Sequence, residues 1–426
     1  MHAVAEQLST LRVQLKGHFK EREDAIEASL LALVSGQHVF LLGPPGTAKT
    51  QMIRAIVKAI VQARYFEIGL SRNRPFEAVI GPLDILHWRE TGEYIYRREG
   101  YATQVEIALF NEIDKMSDDL GHDLLALLNE RLYHEVKINE RGEKQSVWHS
   151  PLSTAFCDSN AELTSSANED AAALWDRLLL RTTVDYVVSD SNFAAVLVGG
   201  EPEIDVAIEW PDLKDAIDNV VPAVEIPDHV QQAMVKLRHD LVPEGVKPST
   251  RRFRQSMLVL QASAFLNGRD VATEDDIAAL RFTLWDTVDQ ISAVDRICRS
   301  ASNPFIGPLI DIRGRIHEVQ SEIEKRHKTF VDAGSDWKNS EGASLQAYGK
   351  EATKKLTAVR GELETMLIEA QGRPIPGFKA VSDLQQQVFV QNFTTCLDQP
   401  RDVAEKMAAD DTHSTRLGQG DGGNSL

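Results

Sequence analysis

A chain of 426 residues with 42% hydrophobic and 26% charged residues is too long for one core and suits two or three globular domains. The formal net charge of −18 argues against a mainly electrostatic grip on nucleic acid, and no apolar run approaches the ~20 residues that cross a bilayer. The N-terminus lacks the basic-then-apolar layout of a signal peptide, which predicts a cytoplasmic protein, and Cys157, Cys298 and Cys396 stand too far apart for a disulfide framework or a metal knuckle.

Residues 4–35 carry two helical patterns, the second closed by Gly36. The short apolar run Val39–Leu42 then reads as a buried strand, followed by a Pro/Gly loop and the helical spacing Met52, Ile53, Ile56, Val57, Ile60. Strand, tight loop and Lys49-Thr50 opening a helix point backbone N–H groups at a polyphosphate, with Lys49 as the charge clamp and Thr50 as a Mg²⁺ ligand. The loop residues are Gly43, Pro44, Pro45, Gly46, Thr47 and Ala48. Ala48 stands where the standard pattern has glycine, and its methyl is tolerable if the position has helical dihedrals.

Tyr65–Ile68 reads as a second strand, and residues 85–98 as a β-hairpin turning at Thr91-Gly92 with aromatic residues alternating along its arms. The strand within residues 105–114 ends in Asn111-Glu112, where a carboxylate pair would normally hold Mg²⁺ and polarise the attacking water. Asn111 keeps an acceptor oxygen but loses the charge, so cation binding should weaken while Glu112 still orients water. A helix over 118–130 leads to a second hairpin around residues 140–142, and the strand within 151–160 ends at Asn160, within reach of a γ-phosphate or its water. Arg177 and Arg181 follow.

From about residue 200 the pattern turns helical, at 211–219, 227–241, 250–266 and 274–297. The third of these opens with Arg251-Arg252. Beyond residue 303, apolar residues at spacings of 3 and 4 (Leu309 to Ile323, Leu345 to Met366) predict a helical hairpin, with a third segment at Val381, Leu384, Val388 and Phe393 completing a small bundle after RPIPG. Residues 410–426 are Gly/Ser/Asp-rich and predict disorder.

GPPGTAKT at 43–50, SRNRPFEAVIGPLDI at 71–85, FNEIDK at 110–115, LLALLNER at 124–131, SNAEL at 159–163, LWDRLLLR at 174–181 and TRRF…QASAFLNGRDVAT at 250–273 resemble the RavA group of MoxR AAA+ ATPases. The similarity runs in order from about residue 10 to 300. It implies an α/β P-loop NTPase fold, a parallel sheet flanked by helices, with an all-α lid and a C-terminal helical hairpin or small bundle. The corresponding expected domains are 1–200, 201–300, 301–400 and a tail from 401 to 426. It also implies ATP and Mg²⁺ bound between subunits of a ring, usually a hexamer, with Lys49 and Thr50 as the Walker A pair and Asn111 and Glu112 in Walker B. Asn160 would be sensor 1, Arg177 the arginine finger with Arg181 as its competitor, and Arg251 sensor 2 with Arg252 behind it. The 85–98 hairpin is placed like the family's helix-2 insert near the central pore.

Two departures stand out: the family commonly has Asp at position 111, and RavA carries a β-rich C-terminal insertion for which residues 301–400 leave no room. The function this resemblance implies is ATP-driven, chaperone-like remodelling of a protein partner, often one with a von Willebrand factor A domain. A nucleic-acid motor, through Arg72, Arg74, Arg89, Arg97 and Arg98, and an ATP-gated scaffold with little hydrolysis, because of Asn111, are the alternatives.

Overall fold

The computed structural model describes residues 2–92, 95–138, 144–161, 174–303, 305–335, 338–370 and 378–397. The turn at 140–142, RPIPG and the tail beyond residue 410 lie outside the described residues. The chain forms two compact units, residues 1–302 and residues 303 onward.

The first unit begins with α1 (Ala3–His18) and α2 (Glu23–Ser35), and α2 ends where Gly36 takes a left-handed conformation. Then come β1 (Val39–Leu42), α3 (Lys49–Lys58), β2 (Ile60–Val61), β3 (Tyr65–Gly69), α4 (Glu77–Ile80), α5 (Ile85–Thr91), β4 (Ile107–Asn111) and α6 (Asp118–Glu130). The antiparallel pair β5 (Leu132–Ile138) and β6 (Lys144–His149) is the second expected hairpin. It is followed by β7 (Thr154–Ser159), a helical turn α7 over 174–177, and β8 (Leu180–Thr183).

The main sheet is parallel, in the order β3-β4-β7-β1-β8. All four β1 side chains are buried, as a strand covered on both faces requires. Parallel strands put every C-terminal end on one edge, so the residues after β1, β4 and β7 converge whatever their separation in sequence.

The expected hairpin at 85–98 is instead helical over 85–91, with a lone bridge between Leu83 and Tyr96. Asp84 caps the helix by accepting from the Leu86 and His87 amides, and Gly92 closes it in a left-handed conformation. Alternating aromatics are therefore a poor guide here: Ile85, Leu86 and Trp88 all face solvent.

Beyond β8, α8 (Asp190–Val198) buries none of its residues, and β9 (Ile208–Glu209) returns to pair with β2. The helices α9 (Trp210–Asp215), α10 (Asp228–Leu241), α11 (Thr250–Leu266) and α12 (Ile291–Ser302) complete the unit. α11 packs on α1 and α2, so a single apolar core runs from Val4 to Cys298 and residue 200 marks no break in it. The helix expected over 274–297 is three pieces, a 3₁₀ stretch Glu274–Phe282, a 3₁₀ turn Val288–Gln290 and α12. Between the first two, Leu284 and Trp285 are buried in the core.

The second unit is a three-helix bundle of α13 (Ile306–Asp332), α14 (Ser340–Glu369) and α15 (Phe378–Cys396). In its core, Ile312, Ile316 and Ile323 of α13 meet Leu345, Leu356 and Leu363 of α14 and Val388 of α15. α14 and α15 approach closely at Gly349, where a Cβ would lie 2.7 Å from that of Cys396. All three cysteines are free and buried, acting as small apolar side chains.

Candidate nucleotide site

The loop after β1 is fixed by close backbone packing. A Cβ at Gly43 would come 1.9 Å from the Val184 carbonyl oxygen, so only glycine fits, while Gly46 turns with φ +80° into open space. Ala48 has φ 65° and ψ 19°, left-handed rather than helical. The expectation that its methyl is free of strain therefore fails: the position has the dihedrals that favour glycine, at a cost of about 1–2 kcal/mol for an L-residue.

Lys49 is buried and donates through Nζ to the carbonyl oxygens of Gly43 (2.6 Å) and Pro44 (3.0 Å), with Asn160 Oδ1 at 3.4 Å. Burial lowers its pKa, and Asp158 opposes that shift. Thr50 Oγ1 donates to Asn111 Oδ1 at 3.2 Å. The structure thus brings Lys49, Thr50, Asn111 and Asn160 together at the C-terminal edge of the sheet.

Glu112 sits beside them in a left-handed conformation (φ 57°), its amide donating to Asp158 Oδ1 at 2.8 Å and its carboxylate paired with Lys115 at 2.8 Å. Asp158 is buried on β7, and burial raises its pKa.

The two candidate arginines of the second half of the site are elsewhere. Arg177, partly exposed on α7, pairs with Asp176 at 2.9 Å. Arg251 donates to Asn129 Oδ1 at the end of α6. Arg181, the competitor for the finger role, has no exposure at all. Its Nη1 donates to the Trp285 carbonyl (2.7 Å) and Asp286 (3.0 Å), and its guanidinium stacks 3.9 Å from the Trp175 ring centroid. A residue so enclosed cannot reach another subunit, which removes Arg181 from contention. Arg252, 3% exposed, donates to the Thr283 carbonyl and faces Asp176 at 3.5 Å.

Three side chains at the site are not singled out by the sequence. Arg22 is buried and donates from Nε to the Thr47 carbonyl at 3.1 Å. Asp158 lies on β7, two residues before Asn160, which follows the strand's end, a signal that could have found it. Glu67 on β3 accepts from Asn111 Nδ2 at 3.2 Å. No spacing rule links residue 67 to residue 111; only the β3–β4 register does.

The donor set suits Mg²⁺ in one way only. Thr50 and Asn111 offer two adjacent oxygens, and among the described residues there is no cluster of three or more His, Cys, Asp or Glu side chains that could hold a metal alone. A cation here would complete its shell with phosphate and water oxygens, the usual habit of Mg²⁺.

A five-stranded parallel sheet with this loop and these strand-end residues, followed by a helical lid, defines an AAA+ nucleotide-binding module. Residues 6–216 match the family described as the MoxR domain in the MoxR-vWA-beta-propeller ternary systems, and residues 229–298 match the AAA lid domain. Residues 6–216 are thus similar to the MoxR domain and residues 229–298 to the AAA lid. Two uncharacterized proteins of Methanocaldococcus jannaschii are similar to it. One is 29% identical over 381 residues, covering 87% of this chain and 97% of the relative. The other is 28% identical over 375 residues, covering 87% and 92%. The crystal structure of "a putative ATPase" from Cytophaga hutchinsonii shares the fold with a TM-score of 0.51 at 15% identity, covering 69% of this chain and 94% of that one.

Proposed function

We propose that the protein binds ATP with Mg²⁺ at the β1–α3 loop, hydrolyses it in a ring of subunits, and uses the cycle to remodel a protein partner. The observation that carries this reading is the convergence of Lys49, Thr50, Asn111 and Asn160 at one sheet edge, with Thr50 Oγ1 3.2 Å from Asn111 Oδ1. Lys49 would trade its loop carbonyls for β- and γ-phosphate oxygens, and the amides of residues 46–50 would cradle the polyphosphate. Mg²⁺ would supply charge neutralisation between the phosphates, held by Thr50 and, directly or through water, by Asn111. Glu112 would orient the attacking water, and Asn160 would sense the γ-phosphate.

Arg177 and Arg251 pair outside this cluster in a single chain, and the finger role of Arg177 requires a neighbouring subunit, while Arg251 remains the sensor 2 candidate on the lid. Tyr186, Val188, Phe193, Leu197 and Val198 expose a run of apolar surface beside the nucleotide loop, where the Tyr186 hydroxyl meets the Pro45 carbonyl. A second copy of the chain covering that run would support the ring reading. The description of the matched family names a vWA component, which supports a partner carrying a von Willebrand factor A domain. The placement in the RavA group rests on the motifs quoted above.

Steady-state ATPase activity across protein concentration tests the reading, with Glu112→Gln and Arg177→Ala alongside. Turnover should rise with self-association and vanish in Glu112→Gln. Arg177→Ala should lose about 10³-fold or more in rate while still binding ATP. Full activity in the monomer would refute the ring requirement. Asn111 favours one second reading, an ATP-gated scaffold, which tight binding without turnover would establish.

A further inference from the structure

Asn111 has an asymmetric tip, and only one of its two ends is useful to a cation. With the oxygen toward Thr50 it offers a ligand; rotated by half a turn it offers an NH₂ group that repels. The surroundings decide which end faces the site.

The β3–β4 register pairs Gly69 with Asn111 and Glu67 with Leu109, so Glu67 and Asn111 share a sheet face and are diagonal neighbours. Gly69, directly opposite Asn111, has no side chain to intervene. On the helix covering that face, Thr50 and Arg54 are one turn apart. The four side chains form a continuous chain of contacts. Thr50 donates to Asn111 Oδ1 (3.2 Å), Asn111 Nδ2 donates to Glu67 Oε1 (3.2 Å), and Arg54 donates to both Glu67 oxygens, at 2.6 Å from Nη2 and 2.9 Å from Nε. Tyr65 adds a further donor to Glu67 at 2.9 Å. With Arg54 and Tyr65 both donating to it, Glu67 presents acceptor oxygens, so it holds the NH₂ end of Asn111 and leaves the amide oxygen facing Thr50.

We propose that Glu67 is the positioning residue of this site: clamped by Arg54 and Tyr65, it fixes the Asn111 amide with its oxygen toward Thr50 and thereby sets the affinity for the divalent cation that accompanies nucleotide. The inference rests on the nucleotide-site reading given above. It also predicts why an aspartate would not serve in place of Asn111, since two carboxylates would then meet where one amide N–H now bridges.

The test is equilibrium binding of a fluorescent ATP analogue titrated with Mg²⁺, on the full chain, for wild type, Glu67→Gln, Asn111→Asp and the double variant. Glu67→Gln, which can present either end of its own amide, should raise the Mg²⁺ midpoint about tenfold. Asn111→Asp should improve the midpoint at least ten times more in the Glu67→Gln background than beside the native carboxylate. In an Asn111→Ala background, Glu67→Gln should have no effect.

Additive effects around this cycle would overturn the proposal, because a carboxylate acting only as a distant negative charge shifts both backgrounds equally. Should Glu67→Gln not fold, Arg54→Met serves, because the Arg54 side chain is 62% exposed and loss of its guanidinium only loosens Glu67. A smaller rise in the same midpoint is then expected, and an unchanged midpoint would refute the clamp. Wild-type protein that binds no nucleotide at any Mg²⁺ concentration would instead remove the nucleotide reading itself.

Discussion

The two edges of the main sheet carry equally polar residues and use them in opposite ways. At the N-terminal edge, His38 is fully buried, its Nδ1 accepting from the Ala155 amide (2.9 Å) and its Nε2 facing the Leu128 carbonyl (2.7 Å). Arg131 donates to the Gly36 and Ser153 carbonyls at 3.0 Å, and Arg64 closes on Glu106. Each of these groups ties one strand or helix end to another. At the C-terminal edge, Lys49 is held by loop carbonyls and Asn160, and Thr50 by Asn111, partners that a phosphate or its cation can replace. Polar residues that brace elements against each other stabilise the fold, whereas polar residues whose partners are exchangeable can bind. Burial alone does not separate the two, since Lys49 is as enclosed as many residues of the sealed edge.

The sharpest way to break this contrast is a pair of substitutions. Lys49→Ala should weaken ATP binding by about 100-fold or more, because a charge-assisted clamp on phosphate is lost, and should barely move the thermal midpoint. Arg131→Ala should do the reverse, costing about 3 kcal/mol in urea denaturation as buried carbonyls lose their donor, while the folded fraction binds ATP normally. If Arg131→Ala also abolished binding, the separation of the edges would be wrong.

A smaller effect tests the sealed edge by pH. Burial, reinforced by the Arg131 charge, holds the His38 pKa well below its ordinary value. The neutral ring is thus favoured by folding. Its contribution is intact above the unfolded value of about 6.5 and is lost as pH falls below it, by at most about 1.4 kcal/mol per pH unit. Urea denaturation at pH 7.5 and 5.5 should show that loss, and His38→Gln should flatten it. The smallest effect concerns Ala48→Gly, which relieves left-handed strain but loosens the unfolded chain, for a net gain of about 1 kcal/mol or less by thermal denaturation. A loss of stability there would mean the alanine methyl makes contacts worth more than its strain.

The candidate site at the C-terminal edge is legible in the sequence wherever its logic is local. A four-residue apolar run, glycines at 43 and 46 and Lys49-Thr50 opening a helix are adjacent in the chain, and the strand ends at Asn111 and Asn160 follow from the parallel sheet. What stays hidden depends on distant partners or on backbone angles. Glu67 acquires meaning only when β3 lies beside β4, and Arg181 looks like its neighbour Arg177 until Trp175 and Trp285 close over it. Residues 85–91 mislead because side-chain alternation suggests a strand, while Asp84 and Gly92, the two residues that set the ends of a helix, outweigh it. Ala48 follows the opposite course: the motif is recognisable, but its left-handed backbone is not deducible from residue type.

The arginine buried at position 181 also constrains how the molecule can move. It bonds the start of β8 to α7 and to residues 285 and 286, with Arg252 of α11 joining the same group through Asp286 and Asp176. Shearing the lid helices away from the sheet would strand two buried cations without partners, a penalty of several kcal/mol per ion. Within one chain the sheet and the lid are therefore held together as a single lever by this buried group.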